Sequence, residues 1–172
     1  MFFRLLSIFL ALGFVVVPID INGQAQDTGS RIKDPNVTNS NSSRKEVTYK
    51  KARALQTSTA KKIVKVVEAL ERVDENGKED PDFETVKEIL NELLEKKDNL
   101  RSYDRSVMWN YWGYVYFSEE RFSDAMQAYR NLLAEPESTI PLRVASLYTL
   151  AQLNFVNEDY EEGVKVLLQW MD

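Results

Sequence analysis

From about Val47 onward, apolar side chains recur with the 3.6-residue period of a helix and not the two-residue period of a strand. The first run, about Val47 to Val73, sets Ile63, Val66, Val67 and Leu70 at i, i+3, i+4, i+7, which is one helical face. Asp74-Glu75-Asn76-Gly77 stops it. Asp80-Pro81 then reads as a cap followed by proline at the first helical position, where its missing N–H is no loss. The next helix carries Phe83, Val86, Leu90, Leu93 and Leu94 on one face. Beyond a polar turn over 96–102, a third helix is predicted over about Tyr103 to Ser118 and a fourth over about Ser123 to Ala134. Pro136 and Pro141 bracket a loop. A fifth helix covers about Pro141 to Val156 and a sixth Tyr160 to Met171. With no strand-like alternation and no glycine-rich phosphate loop, the expected fold class is all-α.

Ahead of the helices the pattern changes twice. Leu5 to Val17 is apolar except for Ser7 and Gly13, follows the single positive charge of Arg4, and leads through Pro18 to small residues Gly23 and Ala25. These stand at positions −3 and −1 of a cut after Ala25, so residues 1–25 read as a cleaved secretory signal peptide. The competing reading is an uncleaved anchor, through which alone the chain would touch a membrane. The run is shorter than the roughly 20 residues that span a bilayer. Residues 26–46 are crowded with Asn, Ser, Thr, Asp and Gly and read as a disordered linker, too polar to offset the entropy of ordering. The glycosylation-type triplets at Asn36 and Asn41 arise readily by chance in such a segment. The folded domain is then 47–172.

Composition narrows the chemistry. The 172 residues suit one domain plus a targeting segment, and they include no cysteine and no histidine. Disulfides, Cys/His zinc sites and triads with a histidine base are excluded. A cofactor, a metal site or a catalytic constellation is not expected, because catalysis leans so heavily on the two missing residues. A net charge of −5 argues against nucleic acid as the main partner. The basic residues Arg44, Lys45, Lys50, Lys51, Arg53, Lys61, Lys62 and Lys65 precede the repeats. They could meet an acidic partner or lipid headgroups, but a solvated helix face is the plainer reading.

Two stretches superpose at an offset of 38 residues: Trp109 to Ala125 on Leu147 to Gly163. Each is a helix, a tight turn and the start of a second helix. The offset is the roughly 34-residue tetratricopeptide (TPR) period with about four residues added in the loop around Ser138 to Pro141. The first stretch follows the TPR pattern W-x2-L-G-x2-Y, A-x3-F, P through Trp109, Trp112, Gly113, Tyr116, Ala125, Tyr129 and Pro136. Gly113 and Ala125 are small where two helices would cross closely, and the aromatic residues fill the space around the crossing. In the second stretch Ala151 and Gly163 keep the small positions and Tyr160 matches Phe122, while Asn154 stands where Tyr is expected. Residues Ile63 to Lys97 read as a third, degenerate unit, with Phe83 and Val86 in the places of Phe122 and Ala125 and a longer turn over 74–82.

Around these positions, Tyr103-Asp104-Arg105 leading into Met108 to Tyr116, then Leu147 to Phe155, Asp159-Tyr160 and Gln169-Trp170, the chain resembles bacterial periplasmic TPR proteins encoded beside TonB energy-transduction systems. The resemblance covers about Ala54 to Trp170. It implies a TPR-like α-solenoid of about three antiparallel helix pairs, a periplasmic location, no enzymatic activity, and a scaffold role as accessory to a TonB-ExbB-ExbD complex. The alternative is a TPR adaptor of another envelope assembly, such as outer-membrane biogenesis or cell-wall synthesis.

In a TPR array the first helix of each pair lines a groove. The candidate groove stripe is Asn110, Tyr114 and Phe117 on the third helix and Tyr148, Gln152 and Phe155 on the fifth, a mixture of aromatic and amide groups suited to an extended peptide or helix. Phe117 and Phe155 could equally pack against a neighbouring repeat. The sixth helix is expected to leave Val164, Leu167, Leu168 and Trp170 uncovered. Either the sequence is part of a longer array, or that face is buried in a partner or a second copy.

Overall fold

A computed structural model of the protein describes residues 54–171. The signal segment 1–25, the linker 26–46 with Asn36 and Asn41, positions 47–53 of the expected first helix and Asp172 lie outside the described residues. So do Arg44, Lys45, Lys50, Lys51 and Arg53 of the basic cluster.

The described chain forms α1 (Thr57–Leu70), α2 (Phe83–Leu94), α3 (Ser102–Ser118), α4 (Phe122–Ala134), α5 (Ile140–Val156) and α6 (Tyr160–Met171), with a 3-10 turn at Lys97–Asn99. No strand occurs among the described residues, only a lone antiparallel bridge between Val73 and Glu79. The all-α expectation holds there.

Local chemistry fixes the helix ends. α1 has no cap of its own. The backbone N–H of Gln56 donates 2.9 Å to Oδ1 of Asp104, a fully buried carboxylate that reaches across from α3. α1 stops at Leu70, short of the predicted Val73, because the chain there turns into a polar loop. Asp74 Oδ1 accepts from the N–H groups of Asn76 (2.8 Å) and Lys78 (2.9 Å), and Gly77 takes a left-handed φ of +77°. Arg72 clasps the far side of the loop through Asp80 (2.7 Å) and Asp82 (3.1 Å). The cap of α2 is Asp82, whose Oδ1 accepts from Thr85 N–H at 3.0 Å, and not Asp80. Pro81 lies outside the helix.

The later pairs repeat one another. α3 and α5 begin at 102 and 140 and end at 118 and 156; α4 and α6 begin at 122 and 160, so each boundary is displaced by 38. The turns repeat bond for bond. Glu120 N–H donates to Phe117 O (3.0 Å) and Arg121 N–H to Tyr116 O (2.9 Å); Glu158 N–H donates to Phe155 O (3.1 Å) and Asp159 N–H to Asn154 O (2.9 Å). Glu120 and Glu158 each take the left-handed conformation, at φ 59° and 61°.

Two cores result. One gathers Ile63, Val66, Val86, Leu90, Met108, Tyr111, Trp112 and Leu132 from α1 to α4. The other gathers Met126, Tyr129, Leu150, Leu153 and Val166 from α4 to α6. Helices in extensive contact are neighbours in chain order: α1 with α2, α2 with α3, and so on to α5 with α6.

Candidate partner-binding surface

Gly113 shows why this stretch is built as it is. A Cβ placed there would lie 2.7 Å from the ring of Tyr129, so only glycine lets α3 and α4 approach this closely. Tyr129 is fully buried, and burial pushes its hydroxyl well above the usual tyrosine range, with Tyr114 adding to the effect. Trp112 is buried and stacks on Tyr116 at 5.0 Å, and the Arg121 guanidinium lies over the Tyr116 ring at 4.5 Å. Trp109 is half-buried against the first core. Ala125 and Ala151 are buried at the matching small positions.

The second pair reaches the same closeness with the sizes exchanged. A Cβ on Gly163 would meet the Phe155 ring at 2.8 Å. Asn154, where tyrosine is expected, is buried and donates its amide N–H to Leu150 O at 2.8 Å, which satisfies the donor without a partner helix.

The six groove candidates are all half-buried, but they are not all alike. Phe117 faces Phe122 at 6.0 Å and Phe155 faces Tyr160 at 6.5 Å, each within its own pair and each packed on the second core. Tyr114 instead reaches back to the preceding pair, its ring 6.1 Å from Phe83 on α2. Tyr148 lies 5.4 Å from Trp170 on α6. The surface therefore includes two rings, Phe83 and Trp170, that the sequence placed in core or outer-face stripes. Their helical phase was legible; their ring partners on other helices were not.

The charges at the edges are structural in kind. Lys87 joins Glu84 (2.7 Å) to Glu119 (3.0 Å), tying α2 to the α3–α4 turn; Glu84 foremost and then Glu119 raise its pKa, and Lys87 in turn lowers that of Glu119. Arg105 forms a paired contact with Glu135 (2.7 and 2.8 Å) and donates to Leu100 O (2.6 Å), closing the base of α3 onto the end of α4. Of the basic cluster, Lys61 and Lys65 are exposed and Lys62 pairs with Glu92. Glu162 pairs with Lys165.

No protein-family model, curated protein or solved structure matches this chain. Among the described residues, no group of three or more acidic, His or Cys side chains is placed to hold a metal ion, and no helix is long and apolar enough to cross a membrane.

Proposed function

We propose that the chain is a TPR-type interaction module, exported to the periplasm by its N-terminal signal, and that it acts without catalysis as a scaffold for a TonB-ExbB-ExbD type transport system. One observation carries the reading. A helix pair, its three-residue turn and its small-residue crossing recur at a fixed 38-residue translation, and the extensive contacts join successive helices. Units of this kind stack into a solenoid whose first helices line a continuous groove. The groove residues are Asn110, Tyr114, Tyr148 and Gln152, with Phe83 and Trp170 extending the aromatic surface, and the occupant is a segment of another protein. Half-buried tyrosines and amides supply area and hydrogen bonds together, as recognition of a peptide or helix requires.

The double substitution Tyr114→Ala with Tyr148→Ala tests the site. In titrations against the periplasmic parts of TonB and ExbD, affinity is expected to fall by tenfold or more, on the order of the loss at an interface hot spot, while far-UV circular dichroism is unchanged. Unchanged affinity removes these residues from the site. No affinity for either protein before substitution removes the transport assignment and leaves the TPR reading standing.

A further inference from the structure

Charge is divided along the chain. Residues 44–67 hold eight basic side chains and one acidic, Glu46, whereas residues 68–171 hold eleven basic and twenty-two acidic. The fold turns that division into a separation in space. The Gln56–Asp104 bond sets the start of α1 beside the start of α3, while Lys87 on α2 reaches Glu119 at the far end of α3. The connections that follow α1, α3 and α5 therefore gather at one end of the molecule, and the start of α1 lies at the other. At the first end, residues 71–84, 119–124 and 157–162 carry fourteen acidic side chains against three basic. At the second, α1 brings Lys61, Lys62 and Lys65 with no acid before Glu68, and the turn 95–101 adds three basic residues to two acidic. Lys61 and Lys65 are exposed on one face, four residues apart. Lys62 pairs with Glu92 of α2, and that carboxyl is held below its ordinary range by Lys62 foremost, with Lys96 and Lys65 adding to the effect. The basic surface thus spans two helices. Five more basic residues, from Arg44 to Arg53, immediately precede Ala54.

We infer that the basic end of the protein binds the surface of a bilayer carrying anionic phospholipid, with Lys61 and Lys65 of α1 toward the headgroups and the acidic turns directed away. The residue types decide between a lipid and a protein surface. Protein interfaces are enriched in arginine and aromatic side chains and depleted of lysine. Here six of the eight basic residues over 44–67 are lysine, and α1 has no aromatic residue. Lysine is a hydrated point charge on a flexible stem, which acts on a charged plane without a fixed partner. Clusters of about four to eight basic residues on a helix or beside it are of the size that anionic lipid attracts. The net charge of −5 orients this contact and does not forbid it. The two ends stand roughly 20 Å apart along the 14 residues of α1, at about 1.5 Å per residue. That is more than two screening lengths of about 8 Å at physiological ionic strength, so the near lysines outweigh the distant carboxylates.

The test mixes the full chain with phosphatidylcholine vesicles, made with or without phosphatidylglycerol, and follows acetylation of each lysine by mass spectrometry. On the anionic vesicles alone, Lys61 and Lys65 should react several-fold more slowly, while the exposed Lys78 and Lys165 at the acidic end react as they do in solution. This reads the contact itself, whatever the apolar segment 5–17 adds to binding. Salt at about 0.5 M, which shortens the screening length to roughly 4 Å, should remove the protection. In co-sedimentation, Lys61→Glu with Lys65→Glu should lower the excess of binding to anionic over neutral vesicles by about tenfold or more, at roughly fivefold per basic residue, with circular dichroism unchanged. Equal acetylation on the two kinds of vesicle, as when the basic end serves an acidic protein, overturns the inference. So does protection shared equally by Lys78 and Lys165, protection that salt does not remove, or an excess that the double substitution leaves intact.

Discussion

Where Gly113 meets the Tyr129 ring, a single methyl group is already too much: its carbon would sit 2.7 Å from a fully buried ring with nowhere to move. Gly113→Ala should therefore cost about 1–3 kcal/mol through overpacking. The second pair suggests the remedy, since it carries Ala151 and Leu167 at these two positions. In a double-mutant cycle followed by urea unfolding, Gly113→Ala with Tyr129→Leu should be less destabilised than the sum of the single changes by about 1 kcal/mol or more. Strict additivity would show that the ring is not what excludes the methyl. The small positions themselves were legible in the sequence, because they recur at 38 residues whatever surrounds them. Which ring fills the space was not. Phe155, read as a candidate for the groove, seats its ring over Gly163, and that placement depends on the absent Cβ of a residue on another helix.

Helix limits followed the same division. α3 to α6 begin and end within one residue of where periodicity and prolines put them, because their turns are short and governed by local bonds. The α1–α2 connection, residues 71–82, was misread at both ends. Its order comes from Arg72 bridging Asp80 and Asp82, and from Asp74 gathering two backbone N–H groups, neither of which leaves a periodic trace. The cap of α1 arrives from Asp104, 48 residues away. Two predictions belong to these elements. Asp82→Ala should remove the α2 cap and cost about 0.5–2 kcal/mol. The Asp74 and Asp82 carboxyls are held below their ordinary value, chiefly by backbone N–H donors. A depressed folded pKa gives stability that is complete above the unfolded pKa, near 3.9, and is lost as pH falls below it. Replacing both with Asn should flatten the acid limb of a stability–pH curve below about pH 4 and leave its shape near neutrality unaltered. At the two turns, Glu120 and Glu158 hold a left-handed backbone that Asn tolerates better. Glu120→Asn and Glu158→Asn should each raise stability by about 0.5–1 kcal/mol, read as an increase in Tm.

Across the whole molecule, protection should be uneven. α3 is buried along most of its length, from Asp104 to Val115, whereas α6 buries only Gly163 and Val166. Amide hydrogen exchange should therefore be fastest in α6 and slowest in α3. Equal protection of the two helices would mean that the pairs unfold as one unit. Among the described residues, the number and order of helices could be read from the sequence. That α6 exposes Val164, Leu168 and Trp170 was also foreseen, while Leu167 turns inward to the second core.

That the extensive contacts join successive helices carries a consequence for time. Apart from the Asp104 bond to Gln56, the extensive contacts join helices that follow one another in the chain, and the longest detour between such helices is the loop 71–82. Low contact order of this kind goes with folding in microseconds to milliseconds. It also lets order of assembly follow order of appearance. A chain emerging N-terminus first through a narrow exit can close α1 on α2, then α3 on α4, with α5 and α6 settling on a surface already formed.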